Sequence, residues 1–371
     1  MTAKRSHYLD WVRVIAMGVV FLFHCGRFFD NEDWHVKNAG ISEAASVMVF
    51  LTSRWIMPLF FFVSGASTYF ALQHRSVRRF ASDRLKRILV PLVLGILILS
   101  PPQVYLERLS HNQFSGSFMS FIPYYFEGWY AFGGNFAWMG LHLWYLLLLL
   151  IFSFIALPLI YTIRGLKGLS IPAKPLVLSG AVVLLALPGT FVDPDAIAGS
   201  RIWGGWSIIE HFMIFLMGYL MFSSVSFPLI LQRLRWGTLA AAIVLLMLML
   251  MPDAHVNGLP FEHPWYFAKM LLRSGACFSW IFAILGFAAR YLNTPGQGLR
   301  YLNEAVLPFY ILHQAVIVPV GFYVVQMPSS IATKYMIIAT ASVTVVVALY
   351  LLIRRFNLLR FLFGMSVQRA K

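Results

Sequence analysis

The chain has 371 residues, 60% of them hydrophobic and only 12% charged, against about 45–50% apolar and about 25% charged in an ordinary soluble domain. A soluble globule is excluded, because apolar runs such as Leu141–Leu159 and Ala240–Met251 have no polar face to turn to water. The formal charge of +15 would suit a nucleic-acid binder. The basic residues, however, are strung between apolar runs in the manner of the positive-inside rule, so nucleic acid is not an expected partner.

At the N-terminus, MTAKRSHYLDWVRVIAMG puts positive residues ahead of an apolar run but offers no small-residue cleavage site. The run retains Asp10, Arg13 and His24, so it reads as a first helix that stays with the protein. Spans of about 20 residues then fit at residues 9–29, 44–72, 87–106, 138–161, 174–190, 206–223, 236–252, 267–289, 303–323 and 332–353. The expected fold is an all-α integral membrane protein of about ten transmembrane helices. It forms a single membrane-embedded domain over residues 1–371, with its core at 9–353.

An even number of spans puts both termini on one face. That face collects Lys4, Arg5, Arg75, Arg78, Arg79, Arg84, Lys86, Arg87, Arg164, Lys167, Lys174, Arg233, Arg235, Arg290, Arg300, Arg354, Arg355, Arg360, Arg369 and Lys371, most of the 29 basic residues. Asp30, Glu32, Asp33, Glu43, Glu107, Glu127, Asp193, Asp195, Asp253 and Glu262 fall opposite. Both termini are therefore expected in the cytoplasm, with the chain in the cytoplasmic (inner) membrane. The longest outward connection, residues 107–137, contains FIPYYFEGWYAFGGNFAW; it reads either as a lid or as an aromatic belt at the headgroup level. Cys25 and Cys277 sit inside apolar runs, which gives neither a disulfide framework nor a CxxC metal or redox motif.

Charges inside spans are expensive, so each is a functional candidate, with structural ion pairing as the plain alternative. In the first helix, Asp10, Arg13 and His24 fall within about 60° of one another on a helical wheel, on one face. Asp10 and Arg13 would mark the cytoplasmic mouth, and His24 the outer half, about 16 Å beyond Arg13. Further outward candidates are Arg54, His142 in GLHLWYL, and the Glu210/His211 pair. Inward ones are the SDRLKR run and Glu304, with His313 and Gln314 near the middle of their span. Singly, these histidines read as packed or interfacial; together they suggest a polar site open to both faces.

The successive elements YLDWVRVIAMGVVFLFH, PLFFFVSG, RRFASDRLKRILVP, LHLWYLLLLL and NEAVLPFYILHQAVI resemble, in order and spacing, the signatures of the membrane acyltransferase-3 family. The resemblance covers essentially the whole chain. It implies an O-acyltransferase that takes an acyl group from cytoplasmic acyl-CoA and places it on a hydroxyl of an extracytoplasmic carbohydrate. The family's essential first-helix Arg and His fall on Arg13 and His24. Its Ser-Gly falls on Ser64 and Gly65, its basic segment before a proline on Arg84, Arg87 and Pro91, and its His-Leu-Trp on His142, Leu143 and Trp144. The outer segment DWHVKNA, which contains His35, followed by RWIMPLFFFVSG, is similar to a branch associated with succinylation of periplasmic glucans.

On this reading Arg13, Arg84 and Arg87 anchor the phosphates of CoA, because guanidinium is a permanent, bidentate cation. His24 is the general base on the acceptor hydroxyl, and Asp10 orients Arg13. Arg54, His142, Trp144, His35, Glu304 and His313 are the candidate substrate-binding residues. If the donor is succinyl-CoA, Arg54 or Arg27 would meet its free carboxylate. Ser64 would carry an acyl-enzyme if one forms. No permanently bound cofactor and no metal is expected. Acyl-CoA is the co-substrate, membrane lipid the surroundings, and a homo-oligomer stays open. The competing reading is a polytopic transporter or flippase of a carbohydrate or lipid-linked substrate, since buried charges and Gly/Pro-interrupted helices also mark carriers. Label that ends up covalently on an acceptor, rather than crossing vesicles unchanged, separates the two.

Overall fold

A computed structural model describes residues 6–165, 175–250 and 259–368. Lys4, Arg5, Lys167, Lys174, Asp253, Arg369 and Lys371, used above to orient the chain, lie outside the described residues, as does the side chain of Arg164. Among the described residues the structure is helical, with one isolated bridge between Trp129 and Phe136. Among the described residues, eight helices are long and apolar enough to cross a membrane: His7–Gly26, Glu43–His74, Val77–Ser110, Leu141–Thr162, Phe227–Leu250, Tyr266–Tyr291, Gln297–Val324 and Ile331–Ile353. Two shorter apolar helices are Ser179–Phe191 and Ile208–Ser223. The protein is an all-α membrane protein, and every predicted span overlaps one of these helices.

The boundaries differ where charges flank an apolar run. The third span is predicted from residue 87, yet the helix begins at Val77 and carries VRRFASDR within it. The helix predicted from residue 236 begins at Phe227 and takes in Arg233 and Arg235. Hydropathy marks where lipid begins, whereas helical hydrogen bonding continues into the interface, because Arg is a good helix former and its stem reaches back toward water. At the other end, Glu107, placed above in the outer loop, lies inside the helix and is 6% exposed. The 44–72 span is interrupted by a turn at Arg54 and Trp55.

The helices used below are α1 (His7–Gly26), α2 (Glu43–Ser53), α3 (Ile56–His74), α4 (Val77–Ser110), α5 (Phe118–Tyr125), α6 (Trp144–Gly165), α7 (Pro175–Phe191), α8 (Ile208–Ser223), α9 (Phe227–Leu250), α10 (Tyr266–Tyr291), α11 (Gln297–Val324) and α12 (Ile331–Ile353). The chain divides into two compact units. One comprises Met1–Ala16, Leu51–Phe80 and Ile151–Arg300; the other comprises Met17–Phe50, Ala81–Leu150 and Tyr301–Lys371.

In the first unit α3 and α8 approach closely through glycines. A Cβ on Gly65 would run into the carbonyl oxygen of Phe215, and one on Gly218 into that of Phe62. Lipid offers no hydrophobic drive to bring helices together, so close backbone approach at small residues takes its place. Gly65, singled out by its motif, has here a packing reason. The same unit buries an ion pair between Glu210 and Arg273. Glu210 also accepts the Ser207 N–H at 2.7 Å while Ser207 Oγ accepts the Glu210 N–H at 3.2 Å, a capping box at the start of α8. Arg273 lies 4.2 Å over the Trp206 ring, and His211 bonds the Trp203 carbonyl at 2.9 Å. The Glu210/His211 pair holds the helix start and its preceding loop.

The second unit is centred on Phe21, Cys25, Phe28, Phe29, Ile317 and Ile338. Gly321 in α11 leaves the room that the Phe28 ring fills. The segment after α1 is tied down by charge. Arg27 is held by Asp30, by Glu32 at 2.7 Å and by the Asp33 carbonyl at 2.7 Å. Lys334 of α12 donates to Asn38 Oδ1 and to the Val325 carbonyl, both at 2.8 Å. These bonds fix the loop that presents Trp34 and His35.

Candidate active site

His24 stands in the last turn of α1, half-buried. Its Nδ1 lies 2.9 Å from the Val20 carbonyl and 3.3 Å from His313 Nε2. His313, fully buried in α11, has its own Nδ1 2.6 Å from the Tyr310 carbonyl. A carbonyl only accepts, so both Nδ1 atoms carry hydrogen. His313 Nε2 is then a lone pair facing the His24 Nδ1–H, and His24 is left with its lone pair on Nε2. That is the tautomer a proton acceptor needs, set by two partners. His142 extends the row: its ring centroid is 5.0 Å from that of His313, its Nε2 donates to the Ile311 carbonyl at 3.2 Å, and its carbonyl accepts from the Tyr310 hydroxyl.

The Trp34 ring lies 6.1 Å from that of His24, and the His35 ring 5.3 Å from that of Trp34. His35 meets Glu107 of α4 through its Nδ1, and the Gln314 side-chain amide at 3.1 Å through its Nε2. Gln314 also donates to Gln103 Oε1 at 3.2 Å. Glu107 accepts from the Tyr130 hydroxyl at 2.8 Å and from Arg108 Nη1 at 3.0 Å. The buried carboxylate is thus paired with a cation and met by two further donors, which such burial requires. Tyr130, in the outer loop, has its phenol pushed well above the ordinary range, first by burial and then by the Glu107 charge. It stays protonated and donates.

Four of the sequence candidates, His24, His35, His142 and His313, are therefore gathered in one unit within a continuous row of side chains. The other candidates take other partners or positions. Arg13 pairs with Asp10 at 2.8 Å and with the Ser67 hydroxyl, in the first unit; Arg54 belongs to the same unit. Arg84 is half-buried on α4, and the exposed Arg87 donates its Nε to the Gly364 carbonyl at 3.1 Å. Glu304 pairs with Arg360 at 2.6 Å, an ion pair at the base of α11. Trp144 is half-buried at the start of α6. Arg27 is committed to Asp30 and Glu32. Sequence reasoning missed Glu107, Tyr130, Gln103 and Trp34 as members of the site. The one available signal was an acid directly at the end of a span, in LERLS.

Residues 6–355 match the acyltransferase-3 family, described as an acyltransferase domain. Among curated proteins, the glucans biosynthesis protein C of Escherichia coli strains SMS-3-5 / SECEC, O81 (strain ED1a) and K12 / DH10B are each 22% identical to this chain. In each case the match covers 98% of this chain and 95% of the relative. No solved structure matches.

Proposed function

The chain belongs to the acyltransferase-3 family and is a membrane acyltransferase; from that premise we propose that it moves an acyl group from cytoplasmic acyl-CoA to a hydroxyl of an extracytoplasmic carbohydrate, with His24 as general base. The observation that carries the proposal is the His24 tautomer: Val20 and His313 hold Nδ1–H, so Nε2 is the free lone pair. In the transfer, Nε2 takes the acceptor hydroxyl proton as the hydroxyl oxygen attacks the thioester carbonyl. The tetrahedral intermediate collapses with loss of the CoA thiolate, which takes the proton back from Nε2. Imidazolium formed in between is held by the Val20 carbonyl and the His313 lone pair, so His313 is a positioning residue.

The donor's phosphates are met by Arg84 and Arg87; Arg13, oriented by Asp10 and Ser67, is assigned to donor binding by its family motif. His35, His142 and Trp144 bind substrate. The relatives named for glucans biosynthesis support a glucan as acceptor; the resemblance of the outer segment to a succinylating branch makes succinyl the acyl group to try first. The protein then sits in the inner membrane with both termini in the cytoplasm, where the basic flanks orient it.

The test follows release of free CoA from a panel of acyl-CoAs, with and without extracted periplasmic glucan. Acceptor-dependent release is expected, and His24→Ala should lower it by about 10²–10⁴-fold while CoA still binds. Full transfer by that variant would remove His24 as the base.

A further inference from the structure

Beside the Glu107 cluster, in the same unit, the segment after α4 encloses a cleft of about 420 Å³, within the about 300–1,000 Å³ usual for small-molecule sites. Its apolar wall is Phe114, Phe121 and Tyr124, with ring centroids 5.1 Å (Phe114 to Phe121) and 5.5 Å (Phe114 to Tyr124) apart. Its polar wall is Gln113, Glu127 and Asn135, closed by Arg108.

Resting on the acyltransferase reading, we propose that this cleft is a subsite for an uncharged saccharide unit of the acceptor, held next to the Glu107 cluster. Three observations define the ligand. The exposed Tyr124 ring, beside the half-buried Phe114, suits the C–H face of a pyranose ring. The Gln113 amide N–H groups and the Glu127 carboxylate make no hydrogen bond with other side chains among the described residues, so a donor and an acceptor stand ready for neighbouring hydroxyls. Arg108, the cation of the cleft, spends four of its five N–H groups on Asn135, Glu107, Gln113 and the Gly134 carbonyl. With the guanidinium so occupied and Glu127 uncompensated, an anion is disfavoured.

Arg108 also links the cleft to the chemistry, since one nitrogen, Nη1, bonds both Glu107 of the cluster and Gln113 of the cleft. The segment is built at a conformational cost. All three positive-φ residues other than glycine among the described residues, Asn112, Ala131 and Leu141, fall in it or at its end, a backbone conformation that side chains other than glycine's disfavour.

The proposal is tested by saturation-transfer difference NMR on the full chain in detergent, with a neutral glucose trisaccharide as probe and glucose 6-phosphate and phosphocholine as controls. The trisaccharide should bind, and the two charged probes more weakly. Tyr124→Ala and Glu127→Gln should each weaken its binding by about tenfold, and Tyr124→Phe, which keeps the ring, should restore it; melting temperatures report whether each variant is folded. Failure of the trisaccharide to bind, preference for phosphocholine, or unchanged binding in folded Tyr124→Ala and Glu127→Gln would overturn the subsite. Cleft-dependent binding without acyl transfer from any acyl-CoA would instead overturn the acyltransferase mechanism and keep the subsite.

Discussion

His313 does its work through His24 rather than on substrate, and that distinction is measurable. Its Nε2 lone pair and the Val20 carbonyl share the His24 Nδ1–H. With His313→Ala one of the two restraints on the tautomer is lost, so kcat should fall by about 10–100-fold, less than for loss of the base. The KM for acyl-CoA should stay the same; a raised donor KM with kcat intact would place His313 in donor binding instead. Tyr130 gives a second test. Its raised pKa means that the folded state holds the phenolic proton more tightly than the unfolded chain. The stabilisation is therefore complete below the unfolded value of about 10 and lost as pH rises through the folded value. Tyr125, pushed up to about 12 by burial, behaves in the same way. Tyr130→Phe should cost about 1.5–3 kcal/mol at neutral pH through the lost bond to Glu107, and thermal melts should show a shallower alkaline decline. An unchanged decline would assign it to other tyrosines.

At the level of helices, the Gly65 and Gly218 contacts hold α3 to α8. A methyl group at Gly65 meets backbone rather than the end of a flexible side chain, so Gly65→Ala should destabilise by about 1–3 kcal/mol, read from the melting temperature in detergent. An unaltered melt would show that these helices part without cost. The Glu210–Arg273 pair at the start of α8 is buried on both sides, 0% and 8% exposed. Glu210→Ala strands the guanidinium, and a loss of about 3–5 kcal/mol is expected, whereas replacing both residues with apolar ones should be far milder. A double variant as unstable as Glu210→Ala would refute the stranded-charge explanation. The helices themselves were legible in the sequence because apolar length is a strong signal. Their ends were not: α4 runs from Val77 to Ser110, well beyond its apolar stretch on both sides. Its two wide turns, where the Val90 N–H reaches the Leu85 carbonyl and the Ser100 N–H the Gly95 carbonyl, leave no mark in hydropathy at all.

For the molecule as a whole, the distribution of charge predicts orientation. Cys25 and Cys277 are buried, so background labelling by an impermeant maleimide should be low. Asp195→Cys should label from outside intact spheroplasts, and Arg355→Cys, exposed after α12, only after the membrane is opened. The reverse pattern would invert the topology.

The sequence by itself determined that the chain is an α-helical membrane protein, roughly where its helices run, and which family motifs it carries, because these depend on local composition and on residues a few turns apart. Tertiary structure alone decided which polar residues meet. His24 and His313 are 289 positions apart, and Gln314 and His35 are 279 apart; no periodicity couples them. Glu107 read as a loop acid until helix packing buried it against His35, Tyr130 and Arg108. A buried carboxylate survives only where several donors converge on it, and that convergence is a property of the folded chain.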